Sequence, residues 1–251
     1  MTNQAKTAEI TYFIADLHLS EDRPDITACF LSFLANQATR AQKLYILGDL
    51  FEYWIGDDDT SPFIWEIADA LSHLAKSGTE IFFIQGNRDF LLGKKYATKA
   101  GMTLLDDISL INLYGREAVI MHGDTLCTKD IAYQAFRKKS RTWWWQLIIK
   151  SLPLFVRRRI AQNYRAKSAS ATAMKSQEIM DVTQEEVTNC LTAHNCQLLI
   201  HGHTHRPNIH NETINNKPAQ RIVLGDWYEQ GAWLIVTPEL IEMMTTPLPY
   251  E

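Results

Sequence analysis

The chain has 251 residues, of which 46% are hydrophobic, and this length and composition allow one sizeable core in a single α/β domain. A formal net charge of −4 is mild, which argues against nucleic acid as a partner of the chain as a whole. The first ten residues lack a basic start followed by an apolar run, so we expect no signal peptide. The four cysteines have no CxxC spacing and are expected to be free thiols, which favours a soluble intracellular protein with at most peripheral membrane contact.

Five short apolar runs, each ending at a polar cluster, predict buried strands. Their length and their β-branched and aromatic content favour strands over helices. In chain order the runs are ITYFIA before Asp16, KLYIL before Gly48-Asp49, EIFFIQ before Gly86-Asn87, AVIM before His122 and QLLI before His201. Helical patterns at 26–37 and 63–77 lie between some of them. This alternation predicts an α/β sheet that binds its ligand beyond the carboxyl ends of the strands.

The segment 129–175 has a charge balance unlike that of the rest of the chain. It contains twelve of the 25 Lys and Arg residues but only one of the 29 acidic residues, which leaves 13 bases and 28 acids elsewhere. This asymmetry predicts a helical unit at 128–180, divided by Pro153 and inserted into a core made of 1–127 and 181–251. After it, the runs RIVLGDW, AWLIV and ELIEM in 221–244 predict short antiparallel strands that complete a second sheet.

The polar clusters at the strand ends offer oxygen and nitrogen ligands and no thiolate. A single DxH or HxH is usually a turn or a paired polar group, but five such clusters, each after an apolar run, predict a metal centre. Mixed oxygen and nitrogen ligands suit Mn²⁺, Fe or Zn²⁺ rather than Ca²⁺ or a structural zinc. The candidate ligands are Asp16, His18, Asp49, Asn87, His122, His203 and His205.

The order DxH, GDxxE, GNRD, HGD and GHTH resembles the calcineurin-like metallophosphoesterases, over nearly the whole chain outside the basic insert. The resemblance implies a sandwich of two mixed β-sheets flanked by helices, with two metal ions at the strand ends and Asp49 bridging them. The other ligands of the first ion are then Asp16, His18 and His205. Those of the second ion are Asn87, His122 and His203. Two such ions activate a water and clamp the oxygens of an in-line displacement at phosphorus.

Arg88 follows Asn87 at a position where most of that family has a histidine that assists the leaving group. Arginine does not release its proton at any working pH, so it is unsuited to protonate an alkoxide leaving group. A phosphate monoester leaves without that help because its second pKa is about 6, and a guanidinium suits two linked phosphates. The residues therefore favour a pyrophosphate bond as the target; the alternative is that Arg88 is only a surface charge. The expected catalytic residues are Asp49, Asn87, Arg88, His122 and His203.

Within the insert, TWWWQLIIKSLPLFV at 142–156 is flanked by RKKSR and RRR. This stretch is too short and too interrupted to span a bilayer, which needs about 20 apolar residues. Aromatic side chains with flanking bases suit an interfacial helix on anionic lipid, or contact with acyl chains. The alternative is that they pack on the core or line a closed pocket. Arg165, Ser168, Thr172 and Lys175 recur on one helical face, which suits a phosphate or polar head group but is often only a solvated stripe.

The motifs GDLFEYWIGDD, GNRD, MHGD before a basic aromatic insert, RxxSxxxxxxK and GHTHRP together resemble the UDP-2,3-diacylglucosamine diphosphatases of the lipid A pathway. This resemblance implies two Mn²⁺ ions, water attack on the α-phosphate, and release of UMP and 2,3-diacylglucosamine 1-phosphate. It also implies that the insert caps the site and receives the acyl chains, in a peripheral protein on the cytoplasmic side of the inner membrane; we expect a monomer. The implied substrate contacts are Asn87, Arg88, Asp130, Tyr133, Phe136, Arg165, Ser168, Thr172, Lys175 and His203. Thr172 departs from that family's pattern, which has Asn there.

Two alternatives stay open. A soluble nucleotide pyrophosphatase or phosphodiesterase keeps the chemistry and changes the substrate, although a soluble nucleotide needs no apolar cap. A metal-bound but inactive membrane-docking module keeps the fold, although a decayed enzyme is expected to have lost some of the seven ligands.

Overall fold

The computed structural model describes residues 9–174 and 181–249, and of residues 166–174 it describes the backbone alone. The strands in these ranges are β1 (Thr11–Ile14), β2 (Lys43–Ile46), β3 (Glu80–Phe83), β4 (Met102–Leu104), β5 (Ile108–Leu113), β6 (Arg116–Met121), β7 (Leu198–His201), β8 (Asn208–Ile214), β9 (Lys217–Val223), β10 (Gln230–Val236) and β11 (Ile241–Pro247). The α-helices are α1 (Pro24–Asn36), α2 (Pro62–Lys76), α3 (Lys94–Ala100), α4 (Ile131–Ser140), α5 (Trp143–Ser151), α6 (Leu154–Met174) and α7 (Gln184–Ala193).

The strands form two mixed sheets, in the orders β11-β10-β1-β2-β3-β4 and β5-β6-β7-β9-β8. In the first sheet β1 to β4 run parallel, whereas β10 pairs antiparallel with both β1 and β11. In the second sheet β6, β7 and β9 run parallel, with β5 and β8 as antiparallel edges. The parallel strands of each sheet end at the same edge, which is where the candidate ligands follow. The expected α/β fold of two mixed sheets with flanking helices is confirmed.

Continuous apolar runs form the parallel strands because both faces of these strands are covered. In β1, Phe13 lies in the core between the two sheets, while Tyr12 and Ile14 belong to the core under α1 and α2. Both of these helices begin at a proline, which suits the first helical position, and Gly78 follows α2 with a φ of 113°. The helices predicted at 26–37 and 63–77 are therefore confirmed.

The C-terminal strands differ from the expectation in their sheet membership. Only β9 joins the second sheet, between β7 and β8, whereas β10 and β11 extend the first sheet beyond β1. The expectation that all three complete a second sheet was wrong. A local apolar pattern indicates a strand but carries no information on its partner, and here the free edge of β1 pairs with β10.

The basic insert is helical on both sides of Pro153, as expected: α4 and α5 precede it and α6 follows it. Its assignment as a separate unit at 128–180 stays a prediction. The aromatic run is divided between two environments, because Trp143 is 77% exposed whereas Trp145 packs on the core. Among the helices of the described ranges, none is both long and apolar enough to cross a membrane.

Candidate active site

The seven candidate ligands follow the carboxyl ends of β1, β2, β3, β6 and β7. Five of them have a left-handed backbone, with φ values of 55° for Asp16, 51° for His18, 52° for Asp49, 70° for His203 and 54° for His205. Residues other than glycine adopt this conformation rarely, and Asp and His adopt it more readily than most. So many unfavourable dihedral angles in one place are typical of a functional site whose surroundings enforce them.

Asp16, His18 and His205 form one side of the cluster. His205 Nε2 lies 3.5 Å from Asp16 Oδ1 and 3.5 Å from His18 Nε2. The opposite ring nitrogens face carboxylates, with His18 Nδ1 3.1 Å from Glu52 Oε2 and His205 Nδ1 3.2 Å from Asp226 Oδ2. A carboxylate close to Nδ1 favours the ring orientation in which Nε2 faces the other ligands. Both Nε2 atoms therefore face the cluster as ligands would.

Asn87, His122 and His203 form the other side. His122 Nε2 lies 2.8 Å from Asn87 Oδ1 and 3.2 Å from His203 Nδ1, while His122 Nδ1 lies 2.8 Å from the Leu47 carbonyl oxygen. The Leu47 carbonyl oxygen accepts from Nδ1–H, which fixes the ring so that Nε2 faces Asn87 and His203, where it would bind a cation after losing its own proton. The structure thus brings all the predicted ligands of this side into contact.

Asp49 lies between the two sides, which is the position that a bridging ligand requires. Its Oδ1 is 3.8 Å from His122 Nε2, and its Oδ2 is 3.8 Å from His18 Nε2. Oδ1 also accepts a hydrogen bond of 2.8 Å from the backbone N–H of Arg88. This hydrogen bond ties the loop after β2 to the loop after β3.

The donor set fits divalent cations. Ligand atoms of Asp16, His18 and His205 lie within 4.8 Å of one another, and so do those of Asp16, Asp49 and His122. Asp16 Oδ1 is buried and has no hydrogen-bond partner among the described residues. A buried carboxylate oxygen in this state is costly, and a cation would satisfy it. Clustered Asp and His side chains of this kind form a divalent-metal site.

The charges within the cluster depend on one another. Burial opposes the charged form of Asp16, but the imidazoles of His205, His122 and His18 hold the pKa of Asp16 below its ordinary value. Burial also opposes the charged form of His205, whose pKa is nevertheless raised to about 9 by Asp16 and Asp226. Burial, together with His122, lowers the pKa of His203 to about 4. His203 is therefore neutral near pH 7, whereas His205 carries a proton that a bound cation would have to displace.

Asp89, the last residue of the GNRD motif, holds two ligand loops together. Its carboxylate is fully buried and accepts hydrogen bonds of 2.8 Å from the backbone N–H groups of both Gly86 and Leu50. Burial, together with Asp49, raises the pKa of Asp89 to about 6. The role of Asp89 was not predicted from the sequence. Its position two residues after the candidate ligand Asn87 was the feature that could have indicated it.

Glu52 joins the cluster to two arginines. Besides approaching His18, its carboxylate lies 2.6 Å from Arg165 Nη2 and 3.9 Å from Arg88 Nη1. The Nε–H groups of both arginines are buried and have no hydrogen-bond partner among the residues that the structure describes. Two guanidinium groups with unused donors thus lie beside the cluster, one from the core and one from α6. Glu52 as their common partner was not predicted.

Tyr133 and Asp130 occupy the start of α4. The Tyr133 ring centre lies 6.0 Å from that of His203, and its hydroxyl donates to the buried carboxylate of Asp124. Burial and Asp124 raise the pKa of Tyr133, which keeps the phenol protonated. Asp130 caps α4 by accepting a hydrogen bond of 3.2 Å from the Tyr133 backbone N–H. The expected contacts of Tyr133 and Asp130 with substrate stay predictions.

Phe136 lies in an aromatic cluster between the insert and the core. Its ring stacks on Tyr164 of α6 at 4.5 Å and contacts both Phe90 and Trp145 edge-on at 6.3 Å. Ser168 and Thr172 belong to α6, but their side chains lie outside the described part of the structure. Lys175 falls outside the described residues.

Three arginines of the insert are bound to core groups and are not available to lipid. Arg137 Nε and Nη2 lie 2.7 Å from Asp124 and Asp107, and Arg141 donates to the Gly86 carbonyl oxygen at 2.9 Å. Arg157 is 4% exposed and binds the carbonyl oxygen of Ile55. Part of the excess positive charge therefore docks the insert on the more acidic core.

Comparisons with known proteins agree with the geometry. The family model described as calcineurin-like phosphoesterase matches residues 11–207. The chain is similar to a UDP-2,3-diacylglucosamine hydrolase of Vibrio atlanticus, at 52% identity over 93% of this chain and 96% of the relative. A UDP-2,3-diacylglucosamine hydrolase of Salmonella paratyphi B is 53% identical over 95% of this chain and 99% of that relative. The expected class of enzyme, a metal-dependent hydrolase of phosphoester or phosphoanhydride bonds, is confirmed. The chain belongs to the calcineurin-like phosphoesterase family.

Proposed function

We propose that the protein hydrolyses the pyrophosphate bond of UDP-2,3-diacylglucosamine by water attack on the α-phosphate. The products are UMP and 2,3-diacylglucosamine 1-phosphate (lipid X), in lipid A biosynthesis. The observation that carries the proposal is the pair of buried, unused Nε–H groups of Arg88 and Arg165 beside the Asp and His cluster. The names of the relatives, at 52 to 53% identity over nearly the full length, support the substrate.

The cluster residues are proposed to hold two Mn²⁺ ions, which when bound would activate the attacking water and neutralise charge on the phosphoryl oxygens. Asp49 is proposed as the shared ligand, because it lies between the imidazoles of His18 and His122. The proposed metal ligands are Asp16, His18, Asp49, Asn87, His122, His203 and His205.

The two arginines bind the phosphate that leaves with the lipid. A buried N–H without a partner costs about 1–3 kcal/mol, and phosphate oxygens remove that cost when they accept from it. The departing group is a phosphate monoester, so it needs no proton from an acid at the position of Arg88. A substrate with an alkoxide leaving group gains less from this arrangement.

The insert supplies the apolar surface for the acyl chains. Trp143, Leu147, Ile148 and Phe155 are between 55% and 77% exposed, and they come from α5 and the start of α6. Exposed apolar side chains in one segment indicate an interaction surface. We propose that this surface meets acyl chains and the cytoplasmic face of the inner membrane, and that the protein acts as a monomer. The proposed substrate contacts are Asn87, Arg88, Asp130, Tyr133, Phe136, Arg165, Ser168, Thr172, Lys175 and His203.

The proposal is tested by hydrolysis of UDP-2,3-diacylglucosamine with Mn²⁺ in water enriched in ¹⁸O. Attack on the α-phosphate places the label in UMP, whereas label in the sugar phosphate contradicts the proposal. UDP-N-acetylglucosamine, which has no long acyl chains, is the matched substrate. Equal kcat/KM for both would favour a soluble nucleotide pyrophosphatase.

Asp49→Ala separates the enzyme from an inactive docking module. We expect hydrolysis to fall to background while binding to lipid vesicles is unchanged, since Asp49 is buried whereas Trp143 and Leu147 of α5 are exposed. Activity that survives this substitution would refute the role of the cluster in catalysis.

A further inference from the structure

A cavity of about 560 Å³ lies at the edge between the two sheets, outside the insert. Its lining comes from 207–245: Pro207 after the GHTH motif, the loop between β9 and β10, the start of β10 and the facing part of β11. Small-molecule sites have volumes of this order, roughly 300–1,000 Å³. The insert contacts the core elsewhere, for example at Ile55 and Asp124.

Two residues belong both to the cavity lining and to the surroundings of the metal ligands. Asp226 Oδ2 lies 3.2 Å from His205 Nδ1. The Tyr228 ring lies parallel to that of His18, at 5.2 Å between centres, and 40% of this residue is exposed. The cavity therefore begins directly beside the Asp16, His18 and His205 side of the cluster. A ligand phosphate at the cluster can extend into it without crossing the insert.

The geometry points to this cavity as the subsite for the nucleoside of a nucleoside 5′-phosphate. This inference rests on the proposed function, in which the scissile pyrophosphate has a lipid on one arm and a nucleoside on the other. The lipid arm is directed to Arg88, Arg165 and the insert. The nucleoside arm then needs a second opening from the cluster, and the cavity beside His205 is such an opening.

The lining suits the chemistry of a nucleoside. Leu224, Met243 and Met244 provide apolar surface for the faces of a base. Glu229 and Gln230 are exposed, and their side chains make no hydrogen bond or ion pair with the described residues. A carboxylate accepts hydrogen bonds from ribose hydroxyls, and a carboxamide pairs with the amide edge of a pyrimidine.

The test compares the binding of UMP with that of inorganic phosphate to the Mn²⁺-loaded protein by titration calorimetry. Inorganic phosphate reports on the cluster alone, so the ratio of the two affinities isolates the nucleoside. Thr245→Trp fills the cavity from β11, and Glu242→Trp places the same bulk on the same strand outside the lining. Glu229→Ala combined with Gln230→Ala removes the polar partners without adding bulk.

In the wild type we expect UMP to bind at least about tenfold more tightly than phosphate, equivalent to about 1.4 kcal/mol. Thr245→Trp and the double variant should lower the affinity for UMP about tenfold and leave that for phosphate unchanged, while Glu242→Trp changes neither. Equal binding of UMP and phosphate by the wild type, or unchanged UMP binding in Thr245→Trp, would overturn the subsite. The proposed function fails separately from the subsite. It is contradicted if the wild type binds UMP more tightly than phosphate but does not hydrolyse UDP-2,3-diacylglucosamine.

Discussion

Arg157 anchors α6 to the core, and its removal should destabilise the insert. The residue is 4% exposed, and its guanidinium donates to the carbonyl oxygens of Ile55 at 2.6 Å and Leu152 at 2.9 Å. It also binds both carboxylate oxygens of Asp58. Gly56 leaves room for this group, since a Cβ at position 56 would overlap with Arg157 Nη1. The loop 55–58 and the start of α6 are thus held by one side chain.

The cost of Arg157→Ala follows from these contacts. Hydrogen bonds from a charged donor contribute about 1.5–3 kcal/mol each, and two of them go to carbonyl oxygens. The Asp58 side chain is 55% exposed, so water solvates it when the arginine is removed and the ion pair itself contributes only about 0–1 kcal/mol. Release of a buried charge recovers part of the sum. We expect a net loss of about 3 kcal/mol.

Urea denaturation provides the measurement, with Arg158→Ala as the matched control. Arg158 is the next residue and also faces an acid, but its side chain is 47% exposed and its contact with Asp59 is 3.4 Å. A loss of about 3 kcal/mol lowers the urea midpoint by about 1 M, whereas the control should change the free energy of unfolding by less than about 0.5 kcal/mol. Arg165 lies two turns further along α6, so KM should rise in Arg157→Ala with unchanged Mn²⁺ content. Equal midpoints for the two variants would refute this account of the anchor.

Four further substitutions test the site and the insert. Arg88→Ala should lower kcat about 100-fold, comparable to losing a donor to a developing charge, yet retain Mn²⁺ by metal analysis because the backbone N–H at position 88 still holds Asp49; loss of metal would contradict this. Gly86→Ala should lower Mn²⁺ content and activity together, because the added Cβ overlaps with the Asp49 carboxylate and backbone N–H; normal metal content would show that the loop has room. Trp143→Ser should reduce sedimentation with anionic vesicles at an unchanged urea midpoint, whereas Trp145→Ser, which loses packing on Phe90 and Phe136, should cost about 2–4 kcal/mol of stability. Lower stability in Trp143→Ser together with weaker vesicle binding in Trp145→Ser would refute the assignment of Trp143 to the lipid surface and of Trp145 to the core.

The strand ends and the ligands on them were predictable because two independent signals coincide there. A parallel strand buried on both faces appears as an uninterrupted apolar run, as in β1 and β7, where every residue is buried. The polar residue that ends such a run lies on the edge where ligands bind in this class of sheet. Asp16 and His203 were therefore placed by pattern alone, and the structure brings them together: the His203 backbone N–H donates to Asp16 Oδ2 at 2.7 Å.

Contacts between distant segments were not predictable from such patterns. The pairing of β10 with β1 depends on which edge is free after the whole sheet forms. The strand β8 has the sequence NIHNETI, which is largely polar, so no apolar run marks it. Glu52 and Asp89 also act through neighbours far along the chain, and their roles emerge only when the loops after β2 and β3 lie side by side.

The positive charge of the insert indicates an acidic partner, but composition alone does not distinguish anionic lipid from the acidic core of the same chain. The bases that flank the aromatic run, RKKSR and RRR, suggested attraction to anionic lipid. In the structure Arg137, Arg141 and Arg157 instead meet the acidic core, and Arg141 donates to the carbonyl oxygen of Gly86, directly before the predicted ligand Asn87. The same contact that docks the insert therefore also fixes the backbone of a ligand loop. Because of it, a shift of the insert on the core would move the backbone next to Asn87, so the proposed capping of the substrate and the geometry of the cluster would be coupled.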